Sequence, residues 1–226
     1  MRNPAVWVVV PAFNEAATLP FVLGRIRLNG CRAVCVDDGS SDATAAVARS
    51  SGCDLVIHPF NLGQGAAIQT GIEYALDRGA DYVCTLDADG QHDPDDLPRL
   101  LHALSAHNAD FALGSRFLGT AVDMPAGRRA LLSAATRFTR LTTGLPVTDT
   151  HNGIRAMTRR GAARIALRQN RMAHASEMLM LIRRSGLPMV EVPVTVTYTA
   201  YSLNKGQSSS SALRVLAELA AGLLRS

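Results

Sequence analysis

Tyr82-Val83-Cys84-Thr85-Leu86-Asp87-Ala88-Asp89-Gly90-Gln91 is an apolar run that ends in two carboxylates and turns on a glycine. The run reads as a strand, and Asp-x-Asp at its end sets hard oxygen ligands at the mouth of a sheet. Mg²⁺ or Mn²⁺ held by such ligands keeps positions open that substrate phosphates fill. Taken alone the motif is also compatible with a plain acidic turn after a strand, so its neighbours decide.

Working outward, Ala5–Val10 is a continuous β-branched run, the pattern of a strand covered on both faces and expected to stop at Pro11. A helix is expected from Asn14 towards Leu28. Ala33–Val36 reads as a second strand running into Asp37-Asp38-Gly39-Ser40-Ser41-Asp42, where Ser41 or Asp42 caps a helix over Ala43–Ser50. Leu55–Ile57 is a third strand, followed by Asn61-Leu62-Gly63-Gln64-Gly65 and a helix from Ala66 to about Arg78. The strand ending at Asp87 is the fourth. Pro94-Asp95-Asp96 opens the next helix with acids in its first turn, as the helix dipole favours, and Phe111–Leu113 is a fifth strand.

Strands alternating with helices predict an α/β fold with an open, mostly parallel central sheet flanked by helices, and ligands beyond the carboxyl ends of its strands. Pro11, Asp38, Asn61 and Asp87 then share one rim. Gly63-x-Gly65 is not a dinucleotide fingerprint, because it follows strand three and the third glycine is missing. The two glycines let the backbone turn tightly or approach a neighbour closely. Past Gly114 the alternation breaks. Helices are expected over Gly127–Thr143, from about Arg159, over Ala175–Ser185 and over Ala212–Arg225. Strands are expected over Asn152–Thr158 and over Val190–Tyr198 with Pro193 inside, and Tyr201–Ser211 reads as a polar loop.

At 226 residues, 47% hydrophobic and 19% charged, the chain is expected to fold as one domain. Its four cysteines have no metal-binding or disulfide spacing and read as reduced thiols of a cytoplasmic protein. A strand begins within a few residues of the N-terminus, and no apolar run approaches the roughly 18 residues of a membrane span, so neither signal peptide nor transmembrane helix is expected. The formal charge of +4 conceals a division: residues 1–113 carry 7 arginines against 14 acids, and residues 114–226 carry 16 basic residues against 5 acids. An acidic half suited to a cation precedes a basic half suited to anions. The basic half has few aromatics for base stacking, so no nucleic-acid partner is expected; an anionic lipid surface or a phosphorylated substrate fits better.

Six stretches, in order, carry a resemblance: Val10-Pro11-Ala12-Phe13-Asn14-Glu15, Val36-Asp37-Asp38-Gly39-Ser40-Ser41-Asp42, Gly63-Gln64-Gly65-Ala66-Ala67, Asp87-Ala88-Asp89-Gly90-Gln91-His92, Gly114-Ser115-Arg116-Phe117 and Asn152-Gly153-Ile154-Arg155. Together they resemble family 2 of the inverting glycosyltransferases, on the GT-A fold, and within it the dolichyl-phosphate mannose synthase and polyprenyl-phosphate glycosyltransferase group. The likeness spans nearly the whole chain, with residues 1–113 as a nucleotide-sugar half and 114–226 as an acceptor half. It implies transfer of a hexose from a GDP- or UDP-linked sugar to a polyprenyl phosphate, with Mg²⁺ or Mn²⁺ as cofactor.

The resemblance also implies roles. Pro11, Ala12, Asn14, Glu15, Asp38 and Ala88 match the nucleotide-binding segments, with Gln64 near one, and Asp87, Asp89 and Gln91 match the metal-binding segment. Arg116, Arg129 and Ser133 match positions that engage the acceptor phosphate; Arg129 and Ser133 share a helix face, with Arg128 as the register alternative. His92 reads as a turn residue, since Mg²⁺ and Mn²⁺ prefer oxygen. Lys205 stands before Gly206-Gln207-Ser208, where the family often carries its lysine after the glycine, and is a candidate for the diphosphate. If the acceptor is a sugar hydroxyl, a catalytic base is required; Glu177 is the first candidate and Asp149 the second. The closing helix has one leucine-rich stripe, which is core packing or an interfacial helix at the inner face of a membrane, alone or with a separate membrane protein. Transfer to a sugar hydroxyl, nucleotidyl transfer and a catalytically silent binding module are the alternatives.

Overall fold

A computed structural model describes residues 3–169 and 173–199. Seven strands form one sheet: β1 (Val6–Ala12), β2 (Arg32–Asp37), β3 (Asp54–Ile57), β4 (Tyr82–Thr85), β5 (Phe111–Val122), β6 (Arg155–Thr158) and β7 (Met189–Thr197). Their order is β3-β2-β1-β4-β6-β5-β7, parallel throughout except for β6, which runs against both β4 and β5. The helices are α1 (Leu19–Leu28), α2 (Thr44–Ser50), α3 (Gln64–Asp77), α4 (Leu97–Ala106), α5 (Ala126–Thr143), α6 (Arg159–Ala162) and α7 (Ala173–Ser185).

The period-2 alternation of each strand splits the core into two layers. Val8, Val10 and Cys84 pack with Leu19, Ile26, Leu100 and Leu104 of α1 and α4. Trp7, Val9 and Val83 pack on the other face with Ile68 and Ile72 of α3 and Met178 and Ile182 of α7. The chain steps outward from β1 through β2 to β3, then returns to β4 on the far side of β1. The crevice at that reversal is where an open sheet of this kind receives ligands.

Several boundaries depart from expectation for identifiable reasons. Pro11 does not end β1, which continues to Ala12 paired with Asp37. The ladder to β4 has already finished with Val9 beside Thr85, so the missing N–H of Pro11 breaks no bond. α1 begins at Leu19, not at Asn14, because Asn14 takes a left-handed φ of 54° and Pro20 sits in the first turn. α2 begins at Thr44 with Ala43 at its N-cap position, and Asp42 just before it accepts the Thr44 N–H through Oδ1 at 2.9 Å. β5 runs nine residues past Leu113 because β7 pairs alongside it, with a bulge between Ser115 and Thr120. Pro193 is tolerated in β7 because that strand lies at the sheet edge. The expected loop 201–211, Lys205 and the closing helix over 212–225 lie outside the described residues. Among the described residues no helix is long and apolar enough to cross a membrane.

Candidate active site

The rim beyond the strand ends is assembled by side chains that tie one loop to the next. Asn14 accepts the N–H groups of Ser41 (2.9 Å) and Asp42 (3.3 Å) through Oδ1, and its own N–H reaches Ser40 Oγ at 2.9 Å. The β1 loop is thereby stapled to the β2 loop. Asp38 is buried and accepts the N–H groups of Leu62 (2.9 Å) and Gly63 (2.8 Å), while His58 Nδ1 lies 2.7 Å from Oδ1 and His58 Nε2 lies 3.1 Å from Thr70 Oγ1. A carboxylate on the last free amides before α3 anchors that helix start, as a capping side chain does. Gly63 needs its φ of 99° for the turn into α3. Gly65 answers to close approach instead: a Cβ there would stand 2.1 Å from the Gln169 carbonyl oxygen.

Asp87 and Asp89 project from the end of β4 into this crevice. Asp87 Oδ1 accepts the Gln64 amide at 2.8 Å, and its Oδ2 lies 3.6 Å from His92 Nε2. Burial works against the Asp87 carboxylate, but the His92 ring and the charges of Arg155 and His174 outweigh it and hold its pKa below the ordinary range. Asp89 goes the other way. Burial and the neighbouring Asp87 push it up to about 6, with Glu15 adding to the repulsion. The repulsion that Asp87 and Glu15 impose on Asp89 is what a bound cation would relieve. Hard oxygen donors in a half-buried acidic crevice fit a divalent Mg²⁺ or Mn²⁺. Among the described residues no third Asp, Glu, His or Cys completes a cage. Gln91 gives its N–H to Asp89 Oδ1 at 2.9 Å, and its side-chain amide makes no hydrogen bond among the described residues. That amide oxygen is free to serve as a neutral ligand.

The basic half closes the other side. Arg116 is 5% exposed and does not point outward: Nε meets Asp149 Oδ2 at 2.6 Å, one terminal nitrogen meets the Tyr198 hydroxyl at 2.6 Å, and the other donates to the His151 carbonyl. Three of its five N–H bonds are therefore spent inside the protein. Burial alone would raise the Asp149 pKa, but the Arg116 charge and hydrogen bonds hold it below the ordinary range. Arg128 turns inward, its guanidinium 5.2 Å from the centre of the Tyr198 ring, whereas Arg129 and Ser133 lie exposed on one face of α5. Glu177 lies on α7 and accepts the N–H groups of Arg168 (3.0 Å) and Gln169 (2.8 Å), bracing the preceding loop.

The expected residues thus divide. Asp38, Asp87, Asp89, Gln91, Gln64 and Glu15 converge at the rim, with Glu15 near enough to Asp89 to raise its pKa. Pro11 and Ala12 lie in the buried end of β1, and the side chain of Ala88 belongs to the core, so it is the backbone there that can line a ligand. His92, expected as a turn residue, is instead buried, with its Nε2 3.6 Å from Asp87 Oδ2 and 3.2 Å from the Gly153 nitrogen, and its ring helps to lower the pKa of that carboxylate. Gly153 and Arg155 stand in the last of the six matching stretches without an assigned role, and His58 and Tyr198 lie in none of them. Buried polar partners of a site leave no periodic signal, and only their clustering near the ends of strands points to them.

The model of the family described as "Glycosyl transferase family 2" matches residues 7–166. The chain is similar to the polyprenol monophosphomannose synthase of Mycolicibacterium smegmatis, 32% identical across 90% of this chain and 81% of the relative. It is also similar to the UDP-N-acetylglucosamine–dolichyl-phosphate N-acetylglucosaminyltransferase of Methanococcus voltae, 28% identical across 91% of each chain. Among solved structures, glucosyl-3-phosphoglycerate synthase from Mycobacterium tuberculosis, in complex with Mn²⁺ and UDP-glucose, shares the fold with a TM-score of 0.69 at 20% identity, over 96% of this chain and 78% of the other.

Proposed function

The chain belongs to glycosyl transferase family 2 and is a glycosyltransferase of the GT-A fold, and from that premise we propose that it moves a hexose from a GDP- or UDP-linked sugar to a polyprenyl phosphate, inverting the anomeric carbon. The observation that carries this choice of acceptor is the condition of the two candidate bases. Asp149 is locked to Arg116 with its pKa depressed, and Glu177 is taken up by two backbone N–H groups. A sugar hydroxyl needs a carboxylate able to take its proton. A phosphate monoester, with a second pKa of roughly 6, is already anionic near neutral pH and needs none. The names of the two relatives, one a dolichyl-phosphate transferase and one a polyprenol monophosphomannose synthase, support the same acceptor class.

In this reading the backbone of Pro11, Ala12 and Ala88 lines the nucleotide, with Asn14, Glu15 and Asp38 shaping its pocket. Asp87, Asp89 and Gln91 would hold Mg²⁺ or Mn²⁺, and Gln64 orients Asp87. When bound, the ion supplies positive charge against the departing diphosphate. Arg129 and Ser133 offer an open face of α5 to the acceptor phosphate, joined by the remaining N–H groups of Arg116. The acceptor oxygen then forms its bond to C1 as the bond from C1 to the diphosphate breaks on the opposite side. No proton has to move. A lipid acceptor places the enzyme at the surface of a membrane, alone or beside a membrane protein. Radiolabelled GDP- and UDP-sugars incubated with polyprenyl phosphate or with soluble glycan acceptors test the proposal. Label should enter the organic phase; label found only in soluble glycan sinks the lipid acceptor.

A further inference from the structure

Arg155 is as confined as Arg116, but unlike Arg116 its guanidinium has no acceptor among the described residues. It sits on β6 opposite Thr85 of β4 and Leu113 of β5, two residues along the chain from Gly153, and is 5% exposed. Its side chain lies on the sheet face shared by Val83 and Met157, which is covered by α3 and α7. The N-terminal ends of both helices meet the acid pair there: Gln64 opens α3 and bonds Asp87, and His174 in the first turn of α7 bears on the Asp87 charge. Asp87 and Asp149 are the charges that act on Arg155.

Neither carboxylate pairs with it. Asp87 gives Oδ1 to Gln64, and Asp149 gives Oδ2 to Arg116 and Asn152. Among the described residues the Arg155 guanidinium has no hydrogen-bond acceptor, and no carboxylate lies within the 4.0 Å of an ion pair. Five permanently charged donors that the protein leaves unspent, on a residue only 5% exposed, are open to an anion that can use them. Phosphate oxygens match a guanidinium fork, and the N-termini of α3 and α7 beside Asp87 favour an anion there.

We propose that Arg155 is a substrate-contacting residue whose guanidinium donates to a phosphate oxygen between Asp87 and Asp149. The inference rests on the glycosyltransferase reading, in which two phosphate groups pass through this crevice, the departing diphosphate and the acceptor monophosphate. Asp87 and Asp149 then tether the charge while leaving its donors for the ligand. A merely structural Arg155 would be a counter-charge to the two acids and nothing more.

The test has two arms on Arg155→Gln and Arg155→Lys. Calorimetry with UDP or GDP plus Mn²⁺ reads the diphosphate, and the KM for polyprenyl phosphate reads the acceptor. A charged hydrogen bond of the usual strength predicts roughly 10- to 100-fold weakening in one arm for Arg155→Gln, and that arm names the phosphate held. Arg155→Lys keeps the charge opposite the two acids but loses the fork, so it separates the readings even if the glutamine variant does not fold. It should be several-fold weaker in the same arm; binding equal to wild type in both arms overturns the proposal. Should the wild type transfer no sugar, the glycosyltransferase reading fails separately. Inorganic pyrophosphate then serves as the probe, and a wild type that does not bind it, or a lysine variant that binds it equally well, overturns the role of Arg155.

Discussion

Gly153→Ala should disable the acid pair without altering a single charge. A Cβ built at Gly153 stands 2.0 Å from Asp87 Oδ2 and 2.4 Å from its Cγ. Ordinary contact begins near 3.4 Å, so the carboxylate must retreat by about 1.4 Å. Retreat strains the 2.8 Å bond from Gln64 and the contact with His92. The backbone at 153 does not need glycine for its own sake, since its φ is not in the left-handed region, so the fold should persist. Misplacing a reacting group by about 1 Å costs on the order of 100-fold, which is about 2.7 kcal/mol of transition-state stabilisation. Expected are a loss of that size in kcat/KM, weaker Mn²⁺ binding by calorimetry and a melting temperature close to wild type. Wild-type Mn²⁺ affinity in the alanine variant would refute the claim that Gly153 seats Asp87.

Gln64→Ala removes the amide that orients Asp87 and should weaken Mn²⁺ binding about 10-fold, the lower end for partners that position metal ligands, read by titration. Asp149→Asn leaves the buried Arg116 charge without its anion and should cost about 3 kcal/mol of stability, seen as a lower denaturation midpoint. Because the folded pKa of Asp149 is depressed, its contribution is present above the unfolded value near 4 and lost as pH falls through the folded one. The asparagine variant should therefore lose less stability than wild type on acidification. Asp38→Ala orphans the Leu62 and Gly63 amides, and hydrogen exchange at those two positions should accelerate while that in β1 does not.

The strands β1 to β4 and their shared rim were legible because each is an unbroken apolar run ending at a polar turn. Asp38 and Asp87 could be placed at strand ends from that pattern alone. The antiparallel β6 was not legible as such: Arg155–Thr158 has no signature of direction, and its place between β4 and β5 follows from long-range pairing. Nor was the length of β5, since the apolar run of Phe111–Leu113 breaks at Gly114 and only pairing with β7 carries the strand on to Val122. Side-chain partnerships were the least visible. Arg116 was matched to an acceptor-phosphate position, but its partners Asp149, His151 and Tyr198 are brought around it only by the fold. His92 followed a glycine turn in sequence and was discounted, yet it packs into the crevice beside Asp87.

The central claim is that the crevice at Leu86–Gln91 holds a nucleoside diphosphate through a divalent metal. Calorimetry of UDP and GDP against this protein, with and without Mn²⁺ and repeated on Asp89→Asn, tests it most directly. The account predicts that one of the two nucleotides binds in the presence of Mn²⁺, that binding falls sharply when the ion is withheld, and that Asp89→Asn abolishes the Mn²⁺ effect. Failure of both nucleotides to bind with Mn²⁺ present, or binding indifferent to both the ion and the substitution, would contradict it.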